Sequence, residues 1–159
     1  MTGWRSMFAA GLAVAAVSVA PAGAAPGDDP APPDDDISGF PLADGAYTNY
    51  GSSYFYWVYF RTPNGWSCGM APNGGPVGCD AVPSDAPAGT NQTYASTTEP
   101  ATYRHSDTAT FTRDFPVLPA GQRVQTLGAA CAVDYQGAVH CRTGGGHGFI
   151  LSADRGVLW

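Results

Sequence analysis

The sequence predicts an all-β domain, either a single small antiparallel sheet or sandwich or a partly open barrel, from three observations. Residues 54–60 (YFYWVYF) are consecutive aromatic or β-branched side chains, the composition of a strand buried on both faces. Turn-forming sequences such as PNG (63–65) and PNGGP (72–76) interrupt the chain. Beyond residue 24, no stretch repeats apolar residues with the period of an amphipathic helix.

The first predicted elements form a three-stranded meander. The aromatic strand runs over residues 54–61, and the PNG turn leads into an antiparallel return at 66–70. The wider PNGGP turn then leads into a third strand at 77–80. This order places Cys68 and Cys79 on adjacent strands.

The second half of the chain predicts further short strands. Residues 91–98 are polar and threonine-rich, as in an edge strand or an extended segment, and residues 108–112 (TATFT) alternate as in a half-buried strand. Residues 123–135 form the longest later β-compatible run, with a core expected from Val124, Leu127, Cys131 and Val133. A QG turn then leads to strands at 138–142, 149–151 and 157–159.

The N-terminal residues predict export. Arg5 precedes an apolar run at 7–20, and small residues at 22–24 form a cleavage site near Ala24, so residues 1–24 are expected to be a Sec signal peptide. Residues 25–36 (APGDDPAPPDDD) predict a disordered, extended leader. We therefore expect residues 37–159 to fold as one secreted β domain without membrane insertion after cleavage.

Charge excludes several function classes. After cleavage near Ala24, six arginines oppose thirteen carboxylates, a net charge of −7, and without the five leader aspartates six oppose eight, or −2. Such a domain lacks the clustered cations that bind nucleic acids or anionic membranes. The chain has no lysine, which excludes P-loop, Schiff-base and Ser-x-x-Lys chemistry.

The four cysteines predict two disulfides, because an exported chain meets an oxidising environment. Cys68 and Cys79 flank one predicted hairpin, and Cys131 and Cys141 flank another, so pairing within each hairpin is the simplest connectivity. The two crossed connectivities stay open. The spacings do not match zinc motifs, and we expect neither a metal nor a cofactor.

Two kinds of side chain are candidate ligand contacts. His140 and His147 could each meet a carboxylate such as Asp134 or Asp154, although the glycines around His147 (GGGHG, 144–148) also suit a close backbone approach to a neighbouring sheet. The aromatic candidates are Tyr54, Tyr56 and Trp66, since the aromatic side chains of this region exceed what one strand face buries. The alternative is that residues 37–49 pack over them.

Several motifs together resemble a family of small secreted actinobacterial proteins classed as a domain of unknown function. They are FRTPNGWSC (60–68), the CD step (79–80), VHCR (139–142) and GHGFILS (146–152). The resemblance implies a fold and an extracellular location, and it implies no activity.

We therefore expect a non-enzymatic binding or interaction module for an unidentified envelope or extracellular ligand, with no catalytic residue assigned. One alternative is a small secreted hydrolase that uses His147 or His140 with an aspartate. Another is a secreted protease inhibitor that presents the loop between Cys68 and Cys79.

Overall fold

The protein is a β-sandwich of two antiparallel sheets, seen in a computed structural model that describes residues 36–49 and 56–159. The first sheet contains, in spatial order, β1 (Thr48–Asn49), β2 (Trp57–Arg61), β3 (Ser67–Met70), β4 (Val77–Cys79), β5 (Gln92–Ala95) and β6 (Thr102–Arg104). The second sheet contains β7 (Gln122–Gln125), β8 (Ala130–Val133), β9 (Val139–Arg142), β10 (Gly148–Leu151) and β11 (Gly156–Leu158). The predicted all-β class is confirmed, and within the described residues neither sheet closes into a barrel.

The inner faces of the two sheets form one core that contains both disulfides. Cys68 lies directly opposite Cys79 with Cα atoms 4.0 Å apart, and Cys131 lies opposite Cys141 at 4.1 Å. All four side chains are fully buried. Pairing within each hairpin is therefore confirmed, and each disulfide joins neighbouring strands within the core.

The edge of β2 that does not pair with β3 is covered by two separate segments. β1 pairs with its first half, and residues 116–118 run parallel to its second half, with Arg61 N–H donating to the Pro116 carbonyl at 3.0 Å. Tyr47, which is buried, donates from its hydroxyl to the Val117 carbonyl at 3.1 Å and links the two segments. Covering an edge in this way removes a template for pairing with other chains.

Glycines hold the two sheets together at one end of the sandwich. Gly144 N–H donates to the Gly74 carbonyl at 2.7 Å, and a Cβ on Gly144 would lie 3.2 Å from the Gly74 Cα. A Cβ on Gly145 would lie 1.8 Å from the Thr97 carbonyl oxygen. The expected close approach of the GGGHG backbone is confirmed, and it explains why this loop has no side chains at its contact points.

Three local predictions were wrong. Residues 108–112 are irregular rather than a strand. Residues 91–98 contain the extended strand β5, but its expected edge position is wrong, because the unpredicted β6 pairs beyond β5. Leu127 is 77% exposed rather than in the core, since it lies in the turn between β7 and β8, where Thr126 takes the buried position.

Two N-terminal predictions, the signal peptide and almost all of the leader, lie outside the described residues. Asp36, the last leader residue, accepts a hydrogen bond from Ser38 N–H at 2.9 Å and caps a 3₁₀ turn (Ile37–Gly39). In the part of the chain that the structure describes, no helix has the length and apolar character to span a membrane.

Candidate functional site

On its outer face, turned away from the second sheet, the first sheet has two glycines in line between two tyrosines. The register aligns Tyr59, Gly69, Gly78 and Tyr94 across four strands. A Cβ on Gly69 would lie 2.7 Å from the Tyr59 ring, and one on Gly78 would lie 2.4 Å from the Phe111 ring. The two glycines therefore let aromatic rings lie flat on the sheet backbone.

Phe111 belongs to residues 105–118, the cover segment, which crosses this outer face without regular structure. Asp80, directly after β4, holds it in place through one carboxylate oxygen. Oδ2 of Asp80 accepts from the backbone N–H groups of Phe111 and Thr112, both at 2.7 Å, and from the Thr112 hydroxyl at 2.8 Å. A carboxylate thus satisfies backbone groups that a neighbouring strand would otherwise satisfy.

The other oxygen of Asp80 begins a chain of side chains, the Asp80 relay. Oδ1 accepts from Gln92 Nε2 at 2.7 Å, and Gln92 Oε1 accepts from Arg104 Nε at 2.6 Å. Gln92 is 1% exposed. Because Arg104 only donates and Asp80 only accepts, the relay fixes which end of the buried amide faces which neighbour.

A polar cleft of about 380 Å³, the Asp80 cleft, lies between the relay and the cover segment. Its lining residues carry polar or small side chains: Asp80, Asn91, Gln92, Ser106, Asp107, Thr108, Ala109 and Thr112. Asn91 Nδ2 donates to the Ser106 carbonyl at 2.9 Å, and Ser106 N–H donates back to Asn91 Oδ1 at 2.8 Å. These bonds join the cover segment to the residue that precedes β5.

His105 ties two loops together near the cleft. Its Nδ1 lies 3.1 Å from the Gly89 carbonyl oxygen and its Nε2 lies 3.0 Å from Asp107 Oδ1. Both partners are acceptors, so only the imidazolium satisfies both. The hydrogen bond with Asp107, together with that to Gly89, raises the pKa of His105.

His140, a predicted ligand contact, lies instead on the second sheet, in β9. Its Nε2 is 3.0 Å from Asp134 Oδ2, and both side chains are mostly buried. Asp134 Oδ1 also accepts from the backbone N–H groups of Gln136 and Ala138, each at 2.9 Å. Burial would raise the pKa of Asp134, but these hydrogen bonds outweigh it and hold the pKa below its usual value. The pair therefore stabilises the turn between β8 and β9.

Of the other predicted contacts, His147, Trp66 and Tyr56 do not line the Asp80 cleft. His147 is half-buried, and its carbonyl accepts from Thr143 N–H at 2.8 Å. Trp66 packs against the core, and Tyr56 is 38% exposed. Tyr54 lies outside the described residues. Among the described residues, no three His, Cys, Asp or Glu side chains come together as metal ligands.

The loop between the cysteines of the first hairpin is packed rather than extended into solvent. Within residues 71–77, all of which are described, Asn73 is the exposed residue. The backbone of Gly74 is buried against Gly144 of the second sheet. This packing does not favour the presentation of the loop to a protease.

Sequence reasoning missed the Asp80 relay. Asp80 appeared only as part of a CD step, and Gln92 and Arg104 were not singled out, because the contacts that join them are made between strands. A usable signal was a carboxylate placed directly after a core cysteine. The chain matches no protein-family model, no curated protein and no solved structure.

Proposed function

We propose that the protein is secreted and acts outside the cell as a binding module, with the Asp80 cleft as the site for a polar group of its ligand. Two buried disulfides fit an oxidising compartment, in agreement with the signal-peptide pattern and the resemblance to secreted actinobacterial proteins. The ligand class is an envelope or extracellular molecule, since a domain with this charge is not suited to nucleic acid.

The observation that carries the proposal is the preorganisation of the cleft. Asp80 holds the cover segment at Phe111 and Thr112, and the reciprocal bonds with Asn91 hold the same segment at Ser106. A ligand that enters such a cleft meets polar groups already in place, so little side-chain entropy is lost on binding. Rigid placement of polar groups favours recognition by hydrogen bonding.

The proposal is tested by screening the purified secreted protein against an array of envelope polysaccharides, oligosaccharides and peptides. Thr108→Trp fills the cleft with an exposed side chain, and Thr98→Trp places the same ring on an exposed turn outside it. We expect the T108W variant to lose at least tenfold in affinity and the T98W variant to bind like the wild type. Equal binding by both variants would place the ligand elsewhere.

The histidines provide a second arm of this test. His140→Ala and His147→Ala should leave binding by the cleft unchanged, because neither residue lines it. If either substitution abolishes a hydrolytic activity of the same preparation, the protein is a hydrolase and the binding proposal is wrong.

A further inference from the structure

We propose that Arg104, which is hydrogen-bonded to Gln92 in the lining of the Asp80 cleft, is a preorganised receptor for an oxyanion, so that the ligand carries a carboxylate or phosphate in addition to the polar group held in the cleft. This inference rests on the proposed function, and it adds the charge of the ligand.

Two contacts fix the Arg104 guanidinium. Its Cζ lies 3.6 Å from the centroid of the Tyr94 ring, a cation–π contact that fixes the plane of the group. Its Nε donates to Gln92 Oε1 at 2.6 Å, which fixes rotation within that plane. Since Gln92 is buried and is itself held by Asp80, the support beneath the guanidinium is rigid.

The outer donors of Arg104 are unused. Among the described residues, no acceptor is bonded to its Nη1 or Nη2 and no carboxylate forms an ion pair with it. The side chain is half-buried, so part of it faces solvent. Two parallel N–H groups at the edge of a fixed guanidinium match the two oxygens of a carboxylate or phosphate.

The two carboxylates that line the Asp80 cleft are already engaged. Asp80 accepts four hydrogen bonds, including one from Gln92, and Asp107 is bonded to His105. The positive charge of Arg104 is therefore not cancelled by a direct partner among the described residues, although the domain as a whole is acidic. An arginine that is held in this way but lacks a counterion favours an external anion.

The test uses inorganic phosphate and sodium acetate, added to ¹⁵N-labelled protein at constant ionic strength with chloride as the balancing anion. The arginine Nε–Hε signals are followed. We expect the Arg104 signal to shift saturably, with a dissociation constant of about 1–50 mM for an isolated anion, while that of exposed Arg155 drifts linearly. Saturation by acetate alone indicates a carboxylate-bearing ligand, and saturation by phosphate alone indicates a phosphate-bearing one.

Variants distinguish specific anion binding at Arg104 from a general effect of positive charge. Arg104→Lys keeps the charge and loses the paired donors, so it should weaken binding at least fivefold; Arg155→Lys is the matched control. Tyr94→Leu removes the stacking surface and should weaken binding while Arg104 remains. Backbone ¹H–¹⁵N spectra check that each variant is folded, and in the lysine variant the shifts of the backbone amides near position 104 are followed.

A linear response at Arg104, or unchanged binding by the R104K variant, would overturn the inference. Its failure is distinguishable from failure of the proposed function. If an array ligand binds the wild type and R104K equally but not T108W, the cleft is the binding site and the oxyanion receptor is wrong. If the anions shift the Arg104 signal saturably while the T108W variant still binds the ligand found in the screen, Arg104 is an oxyanion receptor and the proposal for the Asp80 cleft is wrong.

Discussion

At the scale of single residues, Asp80 determines the outer face of the first sheet. A single carboxylate accepts from a buried glutamine and from three groups of the cover segment. Every group bonded to its oxygens is a donor, and Arg104 at the other end of the relay only donates, so the direction of each hydrogen bond in the relay is fixed. The short, polar side chain that follows Cys79 in the sequence thus organises residues that lie 12 to 32 positions away.

Asp80→Asn should destabilise the protein by about 2–4 kcal/mol. The asparagine amide nitrogen must face either the donors of the cover segment or Gln92 Nε2, so two donors oppose each other. If the Gln92 amide flips to avoid this, its Nε2 faces Arg104 Nε, which is also a donor. Chemical denaturation with intact disulfides measures the loss. Asp44→Asn, at an exposed site, is the control and should change stability by less than about 0.5 kcal/mol.

The double variant D80N/Q92E tests the reason for that loss. The carboxylate introduced at position 92 would accept from both the new amide at position 80 and the Arg104 guanidinium, which restores the direction of the relay. We therefore expect the double variant to recover about 1 kcal/mol or more relative to D80N alone. Additive destabilisation by the two changes would contradict the relay.

Asp134 makes stability depend on pH in the acid range. Because its folded-state pKa is lowered, its contribution is fully present above the unfolded value near pH ~3.9 and is lost as the pH falls through the folded value. The free-energy difference between wild type and Asp134→Asn should therefore shrink from pH 5.5 to pH 2. Denaturation midpoints at several pH values measure it, with Asp154→Asn as the exposed control. A difference that stays constant over this range would contradict the assignment.

At the scale of elements, the cover segment takes a position on the sheet because Gly69 and Gly78 leave room for rings. Gly78→Ala would bring a Cβ within 2.4 Å of the Phe111 ring and 2.7 Å of the Thr93 carbonyl oxygen. Since the carbonyl belongs to a paired strand, it cannot move away. We therefore expect the free energy of unfolding of the variant to fall by about 3 kcal/mol.

Hydrogen exchange localises that effect. The amides of Phe111 and Thr112 should exchange faster in G78A, because the ring that anchors the segment is displaced. Gly39→Ala is the control, since no heavy atom lies within 4 Å of its added Cβ. If G78A and G39A are equally stable, the segment is not held on the sheet by Phe111.

Elements that depend on local turns could be predicted from the sequence, whereas those that depend on contacts between distant segments could not. The hairpins around PNG and PNGGP were predictable because glycine and asparagine turn chemistry is local, and Gly65, Asn73 and Gly74 do adopt positive φ. The alternation at residues 108–112 does not produce a strand, because contacts distant in sequence hold this segment. Asp80 accepts its backbone N–H groups, and the Phe111 ring lies on Gly78. The disulfide pairing followed from the hairpins, whereas the Arg104 stack depends on cross-strand register.

At the scale of the whole molecule, the sandwich is closed by contacts that join the two sheets. Residues 41–43 pair with Arg123 of β7, β1 continues this segment onto the first sheet, and the glycine contacts close one end. The disulfides lie inside this assembly, each within one sheet, and they close short loops with sequence separations of 11 and 10. Each contributes about 3 kcal/mol in the chain-entropy account.

Burial of all four cysteines predicts how the protein is reduced. Thiol–disulfide exchange requires a thiolate to reach a sulfur atom, and each cysteine is 0% exposed in the folded state. Reduction by dithiothreitol without denaturant should therefore be limited by opening of the sandwich. Because both disulfides lie in one continuous core, they should be lost with the same rate, and that rate should rise with urea in proportion to the unfolding rate.

Mass spectrometry of alkylated samples counts reduced cysteines over time, and protein in concentrated urea gives the unhindered rate. If one disulfide is reduced early, at a rate proportional to reductant and insensitive to urea, then its hairpin opens independently and the two sheets do not protect a shared core.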